Sequence, residues 1–183
     1  MNAREDALRL VPPLALLAPN FVSPGARMAF PCEPLRSAVK DIMFSGRQRQ
    51  YGTVRDVLPA DLHKNFSGVL DTPVYLRDDP AAEQVMHEEP STHAWYGPDS
   101  HPETGERLGT GSIHITSEAP LQDRDFTNLV MEEILHAARD AKMRPDDYYR
   151  AGQPVPYEDQ LHEQTAKRGA DYYTTWLLGP ETE

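Results

Sequence analysis

Cysteine is almost absent: Cys32 is the only one in 183 residues. A single thiol excludes an internal disulfide and any zinc ribbon built on several cysteines, and a lone thiol is most simply a packed, inert one. Positive charge is scarce as well, with 18 Lys and Arg against 29 Asp and Glu and a formal charge of −11. That balance argues against a protein that coats nucleic acid, because phosphate contacts need clustered Lys and Arg. Long apolar runs are missing. The longest near the start, LVPPLALLAP, is broken by Pro12, Pro13 and Pro19. It lacks the basic-then-apolar layout of a secretory leader, and no stretch is suited to spanning a membrane. The expectation is a soluble, cytoplasmic protein with neither a nucleic-acid nor a membrane partner.

What is present divides the chain in two. The length suits one domain, but the first part is irregular and dotted with proline. Residues 1–70 are expected to form an extended N-terminal arm with short helices, draped over the rest of the chain or over a protein or peptide partner in a larger assembly. Within that arm, CEPLRSAVKDIMFSG carries Leu35, Val39 and Ile42 at helical spacing, with Gly46 as a stop. Residues 71–183 hold three strand candidates, TPVYLRD, THAWYG and GSIHITS. In the last, Ile113 and Ile115 alternate with Ser112, His114 and Thr116, the period of a strand with one buried face. His93 and His114 are then expected on the exposed side. Two helices follow, over about 123–142 and 156–178, joined by a linker with three prolines and a glycine. The fold class expected is α+β: a small antiparallel or mixed sheet packed on these two helices, with an extended proline-rich N-terminal half.

The first of these helices carries an anomaly. At about 100° per residue, Phe126, Leu129, Val130, Ile134, Ala137 and Ala141 fall on one apolar stripe. Glu133 lies inside that stripe, and Glu132 and His136 lie side by side at its edge. A carboxylate on a core face is disfavoured unless it is paired, hydrogen-bonded or metal-linked. The second helix repeats the pattern. Tyr157, Leu161, Thr165, Gly169, Tyr172 and Trp176 make its expected packing face, which also takes Glu158 and His162, whereas Asp159 and Glu163 fall on the polar side. Convergent carboxylates and imidazoles are how proteins hold zinc or a similar divalent ion.

The segment GSIHITSEAPLQDRDFTNLVMEEILHAARD resembles the edge strand and active-site helix of small zincin-type, gluzincin-like metallopeptidases of bacterial and phage type. Their helix bears His-Glu-x-x-His, two metal ligands and a general base. Here the run is Glu132-Glu133-Ile134-Leu135-His136. The resemblance implies Glu133 as the base, His136 as the second ligand and Glu158 as the third. Glu132 stands at the first-ligand position with a carboxylate where the family has an imidazole, and His162 is a substitute nitrogen ligand. It further implies that strand 112–116 lies antiparallel at a sheet edge. A carboxylate in the first-ligand position adds negative charge, which makes the ion less able to polarise water and suits harder ions such as manganese. The function implied is a metallopeptidase-like protein whose altered site has lost or changed its activity, with zinc or another divalent metal as cofactor.

Simpler readings of the same residues stand beside this one. Glu133 and His136 suit a buried hydrogen-bonded pair, Glu158 and His162 an ion pair at i and i+4, and Glu132 a solvated acid. Glu133-x-x-His136 and Asp159-x-x-His162 also match the paired motif of di-iron helical bundles, but Asp159 is on the polar face and the first half offers no two further long helices. The alternative function is a structural or interaction protein, such as a virion or assembly component, that keeps a peptidase-like scaffold.

Overall fold

The computed structural model describes residues 32–45, 49–77, 93–99, 108–142 and 161–180. In chain order these form helix α1 (Cys32–Ser45), strand β1 (Arg49–Thr53), the short helix α2 (Val54–Val57), a 3-10 turn (Ala60–Leu62), β2 (Pro73–Arg77), β3 (Ala94–Gly97), β4 (Ser112–Thr116), α3 (Asp123–Asp140) and α4 (Leu161–Leu178). The class is α+β. The sheet is mixed, in the order β1-β2-β4-β3: β1 and β2 are antiparallel, β2 and β4 parallel, β4 and β3 antiparallel.

Side-chain alternation puts Val74, Leu76, Ala94, Tyr96, Ile113 and Ile115 on one face, all buried. Helix α1 packs on β2 and α3, and α3 packs on β3, β4 and most extensively α4. The core runs continuously from Leu35 and Val39 on α1 through the sheet to Phe126, Val130, Met131 and Ile134 on α3 and Ala170 and Tyr173 on α4. Asp123 and Asp125 in the first turn of α3 and Arg139 in its last turn complement the helix dipole.

Two expectations change here. Strand 112–116 is not an edge strand: β4 pairs on both sides, and among the described residues the edge nearest α3 is β3. An interior strand is covered laterally by its neighbours, so the alternation of β4 does not expose its second set of residues. His114 is 7% and Thr116 2% accessible, which corrects the exposed placement of His114. The second change concerns the boundary at 70/71, which does not divide the described core. β1 pairs with β2 from Arg49 to Thr53, with a register shift between Gln50 and Gly52, the Val54 and Arg55 amides donate to the Thr72 and Leu70 carbonyls at 2.9 Å, and Phe66 packs its ring on Tyr173 at 5.2 Å. Val54, Val57, Leu58 and Leu62 supply enough apolar surface to tie residues 49–70 into the domain. Residues 1–31 of the expected arm lie outside the described residues.

Candidate metal centre

Helix α3 is buried on two flanks, by the sheet and by α4. Its buried arc therefore takes in Glu133 within the apolar stripe and extends to His136 and Asp140. Glu132 and His136, one turn apart, face the seam with α4, and Glu163 reaches them from the first turn of α4. One donor atom from each of the three lies within 4.8 Å of the other two. His136 Nε2 stands 3.3 Å from a Glu163 carboxylate oxygen. His136 and Glu163 are each 4% accessible, whereas Glu132 is half-buried at the rim. Two ligand atoms on one ion at about 2.1 Å stand roughly 3–4 Å apart, so small side-chain rotations close this set around a cation.

Glu163 is the residue that sequence reasoning put on the wrong side. The buried face of α4 is Glu163, Ala166, Gly169, Ala170, Tyr173, Thr174 and Leu177; Gly169 is where the expected face put it, and the rest is rotated by about one residue from that face. Tyr172 is an exposed large apolar residue and Trp176 is only partly buried. Thr165 turns its hydroxyl back onto the Leu161 carbonyl at 2.6 Å. The reason is distance between helices: Ala166, Gly169 and Ala170 let α4 approach α3 closely, and a Cβ at Gly169 would stand 2.7 Å from Leu135 Cδ1. The bulky alternative face cannot come that near. The run of small residues at helical spacing after Glu163 is the signal that could have found it. Of the other expected ligands, Glu158 lies outside the described residues, and His162 lies on α4 with its side chain outside them.

Glu133 is 7% accessible and sits on the sheet side of α3, where its carboxylate accepts a hydrogen bond from the Tyr96 amide of β3. Burial, reinforced by the charges of Glu132 and Glu163 and opposed by His136 and the Tyr96 amide, carries its pKa from 4.5 up to about 7. Burial raises Glu132 too, with His136 and Lys167 pulling the other way. For His136, burial alone favours the neutral ring. The hydrogen bond to Glu163 and the fields of Glu133, Glu163 and Glu132 outweigh it, and the net shift is upward. The ion-free cluster thus retains protons that a divalent cation would displace.

A second polar group lies on the other face of the sheet. His114 is stacked between Trp95 (4.7 Å) and Tyr75 (5.4 Å). Arg77 Nε donates to His114 Nδ1 at 2.9 Å, and Ser112 Oγ lies 2.7 Å from Nε2. This looks like a nucleophile beside its base, but the protons run the wrong way. An imidazole that accepts from Arg77 at Nδ1 carries its hydrogen on Nε2 and donates it to Ser112. It cannot also take the Ser112 proton, as activation of a serine requires.

The fold and the site thus define an α+β chain with a candidate divalent-cation centre between two helices. Comparison of the chain with protein-family models, with curated proteins and with solved structures finds no match. Among the described residues, no helix is long and apolar enough to cross a membrane.

Proposed function

We propose that this chain is a divalent-metal-binding protein of metallopeptidase-like build, with Glu132, His136 and Glu163 holding the ion and Glu133 beside them as the proton-carrying group. The observation that carries this reading is the convergence of three ligand-type side chains from two helices within 4.8 Å, two of them almost fully buried. Buried acids without compensation are costly, and two carboxylates with a neutral imidazole balance the charge of a divalent cation. A bound ion would supply Lewis acidity toward a water or a carbonyl. The chain's own part is to hold the ion on α3 and α4, with His136 and Glu163 shielded from bulk water, and to keep a protonatable carboxyl, Glu133, on the same helix. Because the set brings two negative charges, it withdraws less electron density from a bound oxygen than an imidazole-rich set, and it suits manganese or ferrous iron better than a soft set does.

The tie between Glu133 and the Tyr96 amide favours a second reading. A carboxylate engaged with the sheet edge is less available as a base, and the centre then serves binding or assembly rather than hydrolysis of a protein or peptide partner. Metal titration by calorimetry, with metal content by mass spectrometry on protein purified without chelator, tests the primary reading. Wild type should bind one ion per chain. Glu163→Gln should weaken binding by at least roughly tenfold, because it removes an anionic ligand. Absence of binding in wild type would leave only a buried Glu–His pair, and peptide cleavage assayed on the loaded protein separates the hydrolytic from the binding reading.

A further inference from the structure

Tyr96 touches α3 at two levels, on either side of His136. Thr116 donates its amide to the His93 carbonyl at 2.9 Å, which makes His93 and Thr116 a hydrogen-bonded pair. Bonded and non-bonded pairs alternate along an antiparallel ladder, and Tyr96 stands opposite Ile113, three positions further. Its main-chain amide therefore faces away from β4, out of the sheet edge, where Glu133 accepts it. The side chain, 8% accessible, runs along the helix side of the sheet. Its hydroxyl donates to Asp140 Oδ2 at 2.6 Å and lies 3.0 Å from the Thr110 carbonyl. Asp140 is itself 3% accessible. The turn ahead of β4 is shaped around this side chain: Gly111 has φ +70°, and a Cβ there would run into the Tyr96 ring and hydroxyl and stand 2.6 Å from the Gly97 carbonyl.

Glu133, His136 and Asp140 share one face of α3, at i, i+3 and i+7. A residue that grips the first and the last of them sets both the roll of the helix and its height against β3. We propose that Tyr96 is a positioning residue of the metal centre. Through Glu133 and Asp140 it holds α3 at the rotation that presents Glu132 and His136 to Glu163. This rests on the metal reading above. Loss of the hydroxyl contact frees the C-terminal half of α3 to roll. The three donors then spend less time within reach of one ion, and affinity falls without loss of any ligand.

The test is calorimetric titration of the full chain with Mn²⁺ and with Zn²⁺, for wild type, Tyr96→Phe, Asp140→Ala and the double variant. Tyr96→Phe keeps the ring and the main-chain amide and removes only the hydroxyl. Each single change should weaken binding roughly three- to tenfold, below the roughly ten- to hundredfold typical of a group bonded directly to a ligand. The double variant should bind no more weakly than the poorer single, since both remove one contact. A role confined to stability would lower the melting temperature equally with and without metal and leave affinity within twofold of wild type, and that result overturns the proposal. Losses that multiply in the double variant overturn it as well. Should Tyr96→Phe fail to fold, Asp140→Ala reads the same contact from the helix side, and its affinity decides. A wild type that binds neither ion removes the metal reading and this proposal together, whereas binding wild type with unaffected variants removes this proposal alone.

Discussion

On the proposed metal reading, Glu132 is the side chain that sets what kind of ion the centre would take. It occupies the α3 position one turn before His136, half-buried, with its carboxylate in the donor group. Glu132→His exchanges a hard anionic oxygen for a neutral nitrogen on the same backbone, which lowers the negative charge of the set and favours zinc over harder ions. Zinc affinity is expected to rise by roughly tenfold or more in this variant, and peptide hydrolysis assayed on the zinc-loaded protein is expected to appear if Glu133 can leave the Tyr96 amide. Calorimetric titration of wild type and variant checks the first part. Zinc binding undetectable in both, with stability changed by no more than the roughly ±0.5 kcal/mol typical of surface positions, would identify Glu132 as a mere rim acid. At this scale Glu132, Glu133 and His136 were legible from residue type and helical spacing. Asp140 and Tyr96 were not, because a polar residue at a helix end and a tyrosine on a strand are ordinary until the opposite element is known.

The pairing of α3 with α4 decides which described acid joins Glu132 and His136. Glu163 reaches His136 because Ala166, Gly169 and Ala170 admit a close approach, and Asn128 on α3 ties the rim to Asp171 on α4 at 2.9 Å. Gly169→Ala sets a helix-propensity gain of about 1 kcal/mol against overpacking on Leu135, typically about 1–3 kcal/mol. A net loss of about 1 kcal/mol is expected by thermal or denaturant unfolding. Metal affinity should fall several-fold more than that stability change would suggest, because the displaced helix carries Glu163. Unchanged affinity would mean that the small-residue seam does not set the ligand distance. The elements themselves follow from local chemistry: α1, α3 and strands β2, β3 and β4 form where apolar spacing places them. The rotation of α4 does not, since two apolar faces overlap in its sequence and only contact with α3 selects between them.

For the whole molecule, the buried cluster makes stability depend on pH. The folded state holds the Glu133 proton up to about pH 7, whereas the unfolded chain releases it near 4.5. Between those values the folded state binds more protons, so stability is full below about pH 4.5 and falls as pH rises toward 7. His136, also shifted upward, acts in the same direction: its contribution is complete below its ordinary value of 6.5 and is lost as pH rises through its folded value. The Glu133 part alone amounts to roughly 3 kcal/mol at most. Chemical unfolding of the metal-free protein from pH 4.5 to 8 should show this decline, and Glu133→Gln should flatten much of it by keeping a neutral side chain at every pH. Added divalent cation should reverse the decline, because the ion binds the deprotonated ligands of the folded state only. A stability that rises over that range in the metal-free protein would contradict the burial of Glu133.

Sequence by itself determined the class of fold and the presence of a misplaced acid. Hydrophobic period, proline punctuation and helix length act locally, and a carboxylate inside an apolar stripe stands out without any partner in view. Tertiary structure decided the rest: β4 lies inside the sheet and, among the described residues, β3 at its edge, residues 49–70 belong to the core, and Glu163, expected on the polar side of its helix, meets His136. Each of those outcomes depends on which surfaces meet across long separations in the chain, and helix-to-helix distance is set by side-chain volume on both partners at once. One strand or one helix contains only half of that information.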